Sequence, residues 1–144
     1  MTGRPVPVPG ALTGPFWAAA LRGELVIPQC RACGVRFFVP EPACPSCLSQ
    51  AWDYEPSSGR GTVYSVTVVH RAPGPGFDTP FALAIVDLDD GATLLTHVIG
   101  CDPAEAEIGM RVRVEFSKLT ADIVLPCFIR DIRDNRDNRD GESS

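Results

Sequence analysis

The sequence predicts a mainly β protein in which an N-terminal helix and a small metal-held ribbon precede a five-stranded barrel. Three observations point there. Two C-x-x-C pairs, Cys30 with Cys33 and Cys44 with Cys47, are separated by ten residues. Five runs rich in Val, Ile, Leu, Thr and Phe follow from Thr62 onward. Asp90-Gly91 lies between the second and third of these runs as a tight hairpin signal.

A chain of 144 residues is long enough for one main core with a small satellite module. Its 44% apolar and 22% charged residues are ordinary globular values. No apolar run reaches the roughly 20 residues that span a bilayer, and the start MTGRPVPVPGALTG lacks the continuous apolar core of a secretory signal. A cytoplasmic protein without membrane contact is therefore expected, with reduced thiols. The net charge of −5 makes the chain a poor bulk match for a polyanion, although local arginine patches set their own field.

Residues 1–25 form the first unit, an extended Pro-rich arm followed by a helix over 15–25, PFWAAALRGEL. Thr13 is the expected cap, Pro15 suits the first turn, and Phe16, Trp17, Ala20 and Leu21 recur at helical spacing. About three turns are too short to be stable alone, so Phe16 and Trp17 should dock on a neighbour, within this chain or on another subunit.

Residues 26–56 form the second unit, a rubredoxin-like zinc ribbon. The spacing C-x2-C-x10-C-x2-C puts two thiolates on each of two turns, CRAC at 30–33 and CPSC at 44–47, and Gly34 lets amides approach the sulfurs. Two such turns at the ends of a hairpin complete a sulfur tetrahedron, the geometry of closed structural zinc. An iron centre or a redox dithiol would use the same spacing. Four protein sulfurs leave no position for water, so the metal is expected to be architectural, with Phe37, Phe38 and Trp52 as its apolar cover.

Residues 57–132 form the third unit. SSGRG at 57–61 reads as a linker, and the runs at 62–72, 81–90, 92–100, 111–119 and 123–131 read as strands. DPAEAEIG, between the third and fourth runs, carries a capping Asp102, Pro103 and a terminating Gly109, which together predict a short helix. Five strands with a helix in that place match the OB-fold, with an SH3-like barrel as the alternative. Residues 133–144, an Arg-Asp repeat, form a tail expected to be disordered.

Candidate functional residues are few. Cys101 and Cys127 read as small buried hydrophobes, and a catalytic thiol would need His70 or His97 as its base. No Ser-His-Asp set, phosphate loop or paired-carboxylate signature stands out. The loop 70–81, HRAPGPGFDTPF, exposes Phe77 with Arg71 beside it, and Arg60 and Arg22 are the other cations available to an anionic ligand. A single-stranded nucleic-acid-binding barrel is the alternative function, but it needs a basic groove with aromatic platforms, and acidic loops disfavour it here.

The order of segments carries a resemblance. An aromatic helix (PFWAAALRGEL), a ribbon (CRACGVRFFVPEPACPSC) and a barrel containing VVHRAPGPGF, PFALAIVDLDDGATLLTHVIGCDP and IGMRVRVEF span residues 15–131. This layout resembles the OB-fold, zinc-ribbon family associated with acyl-CoA metabolism, long catalogued as a domain of unknown function. The resemblance implies a non-catalytic accessory subunit of a hetero-oligomer. Its partner would be a thiolase-like enzyme, including retro-aldolases of steroid or lipid side chains, or an acyl-CoA hydratase. It also implies contact with acyl-CoA. The helix (Phe16, Trp17) and the loop bearing Phe77 are the expected partner contacts.

Overall fold

A computed structural model describes residues 5–132. Its helix α1 spans Gly14–Leu21 and is followed by strands β1 (Val26–Cys30), β2 (Trp52–Pro56), β3 (Arg60–Val69), β4 (Phe81–Leu88), β5 (Thr93–Val98), β6 (Arg111–Lys118) and β7 (Val124–Arg130). The five runs of β-branched and aromatic residues are all strands. They close into a barrel of order β3-β4-β5-β7-β6, and β6 returns to pair with β3. Every neighbouring pair is antiparallel except β5 with β7. That topology is the OB-fold.

Alternation explains the core. Ala82, Ala84 and Val86 of β4 point inward and are buried, opposite Val98, Thr96 and Leu94 of β5. Phe128 and Val112 complete the interior. At Tyr64 the register between β3 and β4 slips, and this bulge turns the Tyr64 ring outward. The helix expected between β5 and β6 is a single 3₁₀ turn, Pro103–Glu105. Asp102 accepts from the Ala104 amide at 2.9 Å and Glu105 accepts from the Asp102 amide at 3.1 Å.

Helix α1 is shorter than expected, and its cap differs. The Thr13 hydroxyl accepts from the Gly10 amide at 3.2 Å, closing the preceding turn rather than capping the helix. At the other end Gly23 takes a φ of 80°, its amide donates to the Ala20 carbonyl, and the Glu24 amide donates to the Ala19 carbonyl. That crossed pair of bonds is a Schellman stop, so the helix ends at Leu21 rather than running to residue 25. The buried stripe is Phe16, Ala19 and Ala20, while Leu21 is half exposed. Phe16 docks within the chain, 5.3 Å from Phe38, and joins the main core with Leu25 and Ile27.

The segment read as a linker is a built joint. Arg60 and Gly61 belong to β3, and Asp90 at the β4–β5 turn receives the Ser57 hydroxyl at 3.0 Å and the Ser58 amide at 2.8 Å. Arg36 of the ribbon reaches the same carboxylate at 3.8 Å and donates to the Pro56 carbonyl at 3.1 Å. The tail expected at 133–144 lies outside the described residues.

Candidate metal centre and apolar face

The metal centre is built by two similar knuckles. In the first, the Gly34 amide donates to the Cys30 carbonyl at 3.0 Å; in the second, the Leu48 amide donates to the Cys44 carbonyl at 2.8 Å. Gly34 and Leu48 occupy equivalent positions, with φ of 80° and 66°. Left-handed backbone costs a residue with a Cβ roughly 1–2 kcal/mol, so the ribbon holds Leu48 there against its preference.

These turns bring the four sulfurs within 4.8 Å of one another. Cys30 Sγ lies 3.5 Å from Cys47 Sγ, and Cys33 Sγ lies 3.7 Å from Cys44 Sγ. A tetrahedron with metal–sulfur bonds of about 2.3 Å has edges of about 3.8 Å, so the cluster already has the dimensions of a four-sulfur shell. The donor set and its geometry therefore fit a metal ion.

The thiols do not ionise alike. The Cys33 amide, opposed by burial and helped by the Ala32 amide and neighbouring thiols, holds Cys30 down to about 6. Cys47 feels the Ser49 amide pulling it down, but its hydrogen bond with Cys30, burial and the other two sulfurs carry it up to about 12. Negative charge is thus crowded at one point, and a divalent cation relieves that crowding by replacing the protons. Cys30 and Cys44 are buried under Phe37 and Trp52, whose rings meet at 5.6 Å, while Cys33 and Cys47 face solvent. Phe38, expected in this cover, packs into the main core instead.

Of the arginines singled out from the sequence, Arg60 and Arg71 stand at opposite ends of β3. Arg22 pairs with Glu24 at 2.9 Å just after α1. Arg60 begins β3 and pairs with Asp131, whereas Arg71 follows the other end of that ten-residue strand. At about 3.3 Å per residue the two ends of β3 are some 30 Å apart. Arg31, Arg36, Arg111 and Arg113 are also matched with carboxylates.

Phe77 is not the free loop tip expected from the sequence. Its ring stacks on Phe81 at 6.0 Å, and Phe81 lies 4.7 Å from the His97 ring, so Phe77 is tied to β4 while most of the loop around it stays exposed. The outward positions of β4 beside it are Phe81, Leu83 and Ile85, all partly exposed, and Leu95 of β5 is 68% exposed. A sheet with one face on the core ordinarily alternates polar residues outward. Here Phe81, Leu83 and Ile85 are apolar and Asp87 alone is charged, and the unbroken apolar run over 81–86 is the sequence signal of a strand covered on both faces. Trp17, on the flank of α1, looks toward the same side across a cleft shared with Leu95 and His97.

Cys127 is buried and Cys101 is half-buried against the main core, as expected of small hydrophobes. Burial pushes the Cys101 thiol up, with Arg130 opposing and Glu105 and Asp102 adding to the rise. No helix among the described residues is long and apolar enough to cross a membrane.

A four-cysteine ribbon fused to a closed OB barrel defines the class: a zinc-ribbon, OB-fold protein. Family models described as the ChsH2 rubredoxin-like zinc ribbon domain and the ChsH2 C-terminal OB-fold domain match residues 17–53 and 54–117. The chain belongs to the ChsH2 (DUF35) family. It is 40% identical over 114 residues to a probable enoyl-CoA hydratase alpha subunit of Thermomonospora curvata, covering 78% of this chain and 36% of that one. This chain thus spans about a third of that hydratase subunit. A DUF35 domain-containing scaffold protein of Methanocaldococcus jannaschii is 33% identical over 97 residues, covering 65% of this chain and 68% of the relative. Among solved structures, a chain of the Ltp2-ChsH2(DUF35) aldolase superposes with a TM-score of 0.79 at 35% identity, covering 87% of this chain and 98% of that one.

Proposed function

We propose that this chain is a non-catalytic accessory subunit of an acyl-CoA-processing complex, bound to a thiolase-like or hydratase partner. The carrying observation is the outward apolar set Phe81, Leu83, Ile85 and Leu95, a surface that a solitary barrel would keep polar. Relatives named as a hydratase alpha subunit and as a scaffold protein, and the likeness to a chain of an aldolase made with Ltp2, support an assembled role.

The zinc ion is structural in this reading. Four cysteine sulfurs saturate it, and its work is to hold the ribbon that carries Phe38 against α1.

The test is co-expression with a thiolase-like or hydratase protein encoded beside it. The two should co-purify, and the partner's activity on acyl-CoA should fall when this chain is omitted. A partner fully active and stable alone would overturn the proposal.

A further inference from the structure

Eight of the described residues have a φ between 66° and 116°, and seven of them are glycine. The eighth is Leu48, directly after Cys47 of the second knuckle. Everywhere else that this backbone occurs, the chain uses the residue that adopts it without strain.

The first knuckle supplies the control. The Cys30 amide donates to the Val35 carbonyl at 2.9 Å, and the Cys44 amide donates to the Ser49 carbonyl at 2.8 Å. The two knuckles therefore share one hydrogen-bond frame, with Gly34 and Leu48 at the same place in it. Gly34 shows that the frame itself asks for no side chain there.

Packing does not explain the leucine either. Leu48 is 76% exposed and joins neither the main core nor the apolar cover of the cysteines. Its side chain thus offsets neither the left-handed backbone nor the exposure of its own carbons within this chain. A lone surface leucine is ordinary; one held in a disfavoured backbone points to a use outside the chain. The support under it is stiff, because the Cys44 carbonyl accepts the Leu48 amide at 2.8 Å and the Ser49 hydroxyl accepts the Ala51 amide at 3.0 Å. A side chain presented from a fixed turn loses little freedom on docking.

We infer that Leu48 is a knob that enters an apolar pocket of the partner subunit, which adds the ribbon to the docking surface on β4. The inference rests on the accessory role proposed above and names a contact within it. The surroundings select a protein pocket. Pro45, Ser46, Ser49 and Gln50 carry no charge, and Arg31, whose amide bonds the Ala51 carbonyl, is paired with Asp53 at 2.8 Å, so the turn offers no spare cation to an anionic lipid surface. Two copies meeting knuckle to knuckle would bury little beyond two leucines, well short of the roughly 800 Å² per partner of a stable interface. Insertion elsewhere on a second copy would be head-to-tail and would propagate instead of closing.

The test uses the full-length, zinc-loaded chain and the thiolase-like or hydratase protein encoded beside it. Leu48→Gly and Leu48→Asn suit the left-handed backbone, so both should keep the zinc content and a urea midpoint at or above that of the wild type. Both should weaken binding of the partner by roughly tenfold or more. Leu48→Met keeps an apolar side chain of similar volume and should bind within about threefold of the wild type. Partner binding by Leu48→Gly equal to the wild type overturns the inference and leaves the accessory role standing. A lowered midpoint in Leu48→Gly also overturns it, because the side chain then serves the ribbon itself. If the wild-type chain forms no complex at all, the accessory role falls and the inference falls with it. Two further arms use the wild-type chain alone, in sedimentation with phosphatidylglycerol–phosphatidylcholine vesicles and in size measurement. Vesicle binding or self-association that Leu48→Gly abolishes assigns the knob to a lipid surface or to a second copy, and either result overturns the inference.

Discussion

Arg60 and Asp131 are 71 positions apart, yet the Arg60 guanidinium holds the Asp131 carboxylate through two nitrogens, at 3.0 and 2.9 Å from Oδ2. Asp131 is fully buried, and its amide donates to the Arg111 carbonyl of β6. The start of β3, the start of β6 and the residue after β7 are therefore clasped at one point. A carboxylate with no exposure depends on that cation, because burying an unpaired charge is expensive.

Arg60→Ala should lower stability by about 1–3 kcal/mol, less than for a fully buried pair because the Arg60 side chain is 39% exposed and water screens the pair from that side. Urea unfolding would show it as a fall in midpoint with an unchanged slope. Arg60→Ala combined with Asp131→Ala should recover part of the loss, since no buried charge is then left unpaired.

Metal removal should unfold the ribbon. A chelator is expected to abolish the fluorescence signature of Trp52, which packs on the cysteine cluster, and Cys44→Ser should do the same without chelator. One zinc per chain is the expected stoichiometry by elemental analysis. Acid should release the ion, because protons compete for the same four sulfurs and ligation requires all of them to be thiolates.

Leu83→Asp and Ile85→Asp put charge on the outward face of β4 without touching the core. Each should leave the thermal midpoint of the isolated chain within a few degrees while weakening co-purification with the partner tenfold or more. Unaltered complexes would move the docking surface elsewhere. Trp17→Ala and Phe77→Ala are expected to weaken assembly less, because both rings also support packing within this chain.

Asp90→Ala should cost about 1–3 kcal/mol, since it strips partners from the Ser57 hydroxyl and the Ser58 amide. Hydrogen exchange would place the loss at the junction of residues 57–59 rather than across the barrel.

What was legible in the sequence was local. The cysteine spacing, the five strand runs and the Asp90-Gly91 turn are short-range patterns, and their elements appear where those patterns lie. The end of α1 differs from the helical pattern because Gly23, at a φ of 80°, stops it before the pattern runs out. Thr13 serves the preceding turn because a hydroxyl satisfies a turn amide as easily as a helix amide. Asp131 and the cleft could not have been found this way. The first needs a contact across 71 positions, and the second exists only where two strands distant in the chain fail to zip. The stacking of Phe77 on Phe81 is hidden from the sequence because no local rule places a loop ring on a strand it precedes by four positions.

Asp90 has a further consequence. Arg36, Ser57 and Ser58 all converge on its carboxylate, so the ribbon, the joint after it and the β4–β5 hairpin meet at one polar point. The ribbon is thus tied to the hairpin by polar bonds at Asp90 as well as by the apolar core that Leu25 and Ile27 join, so the angle between them is fixed twice, once by each kind of bond.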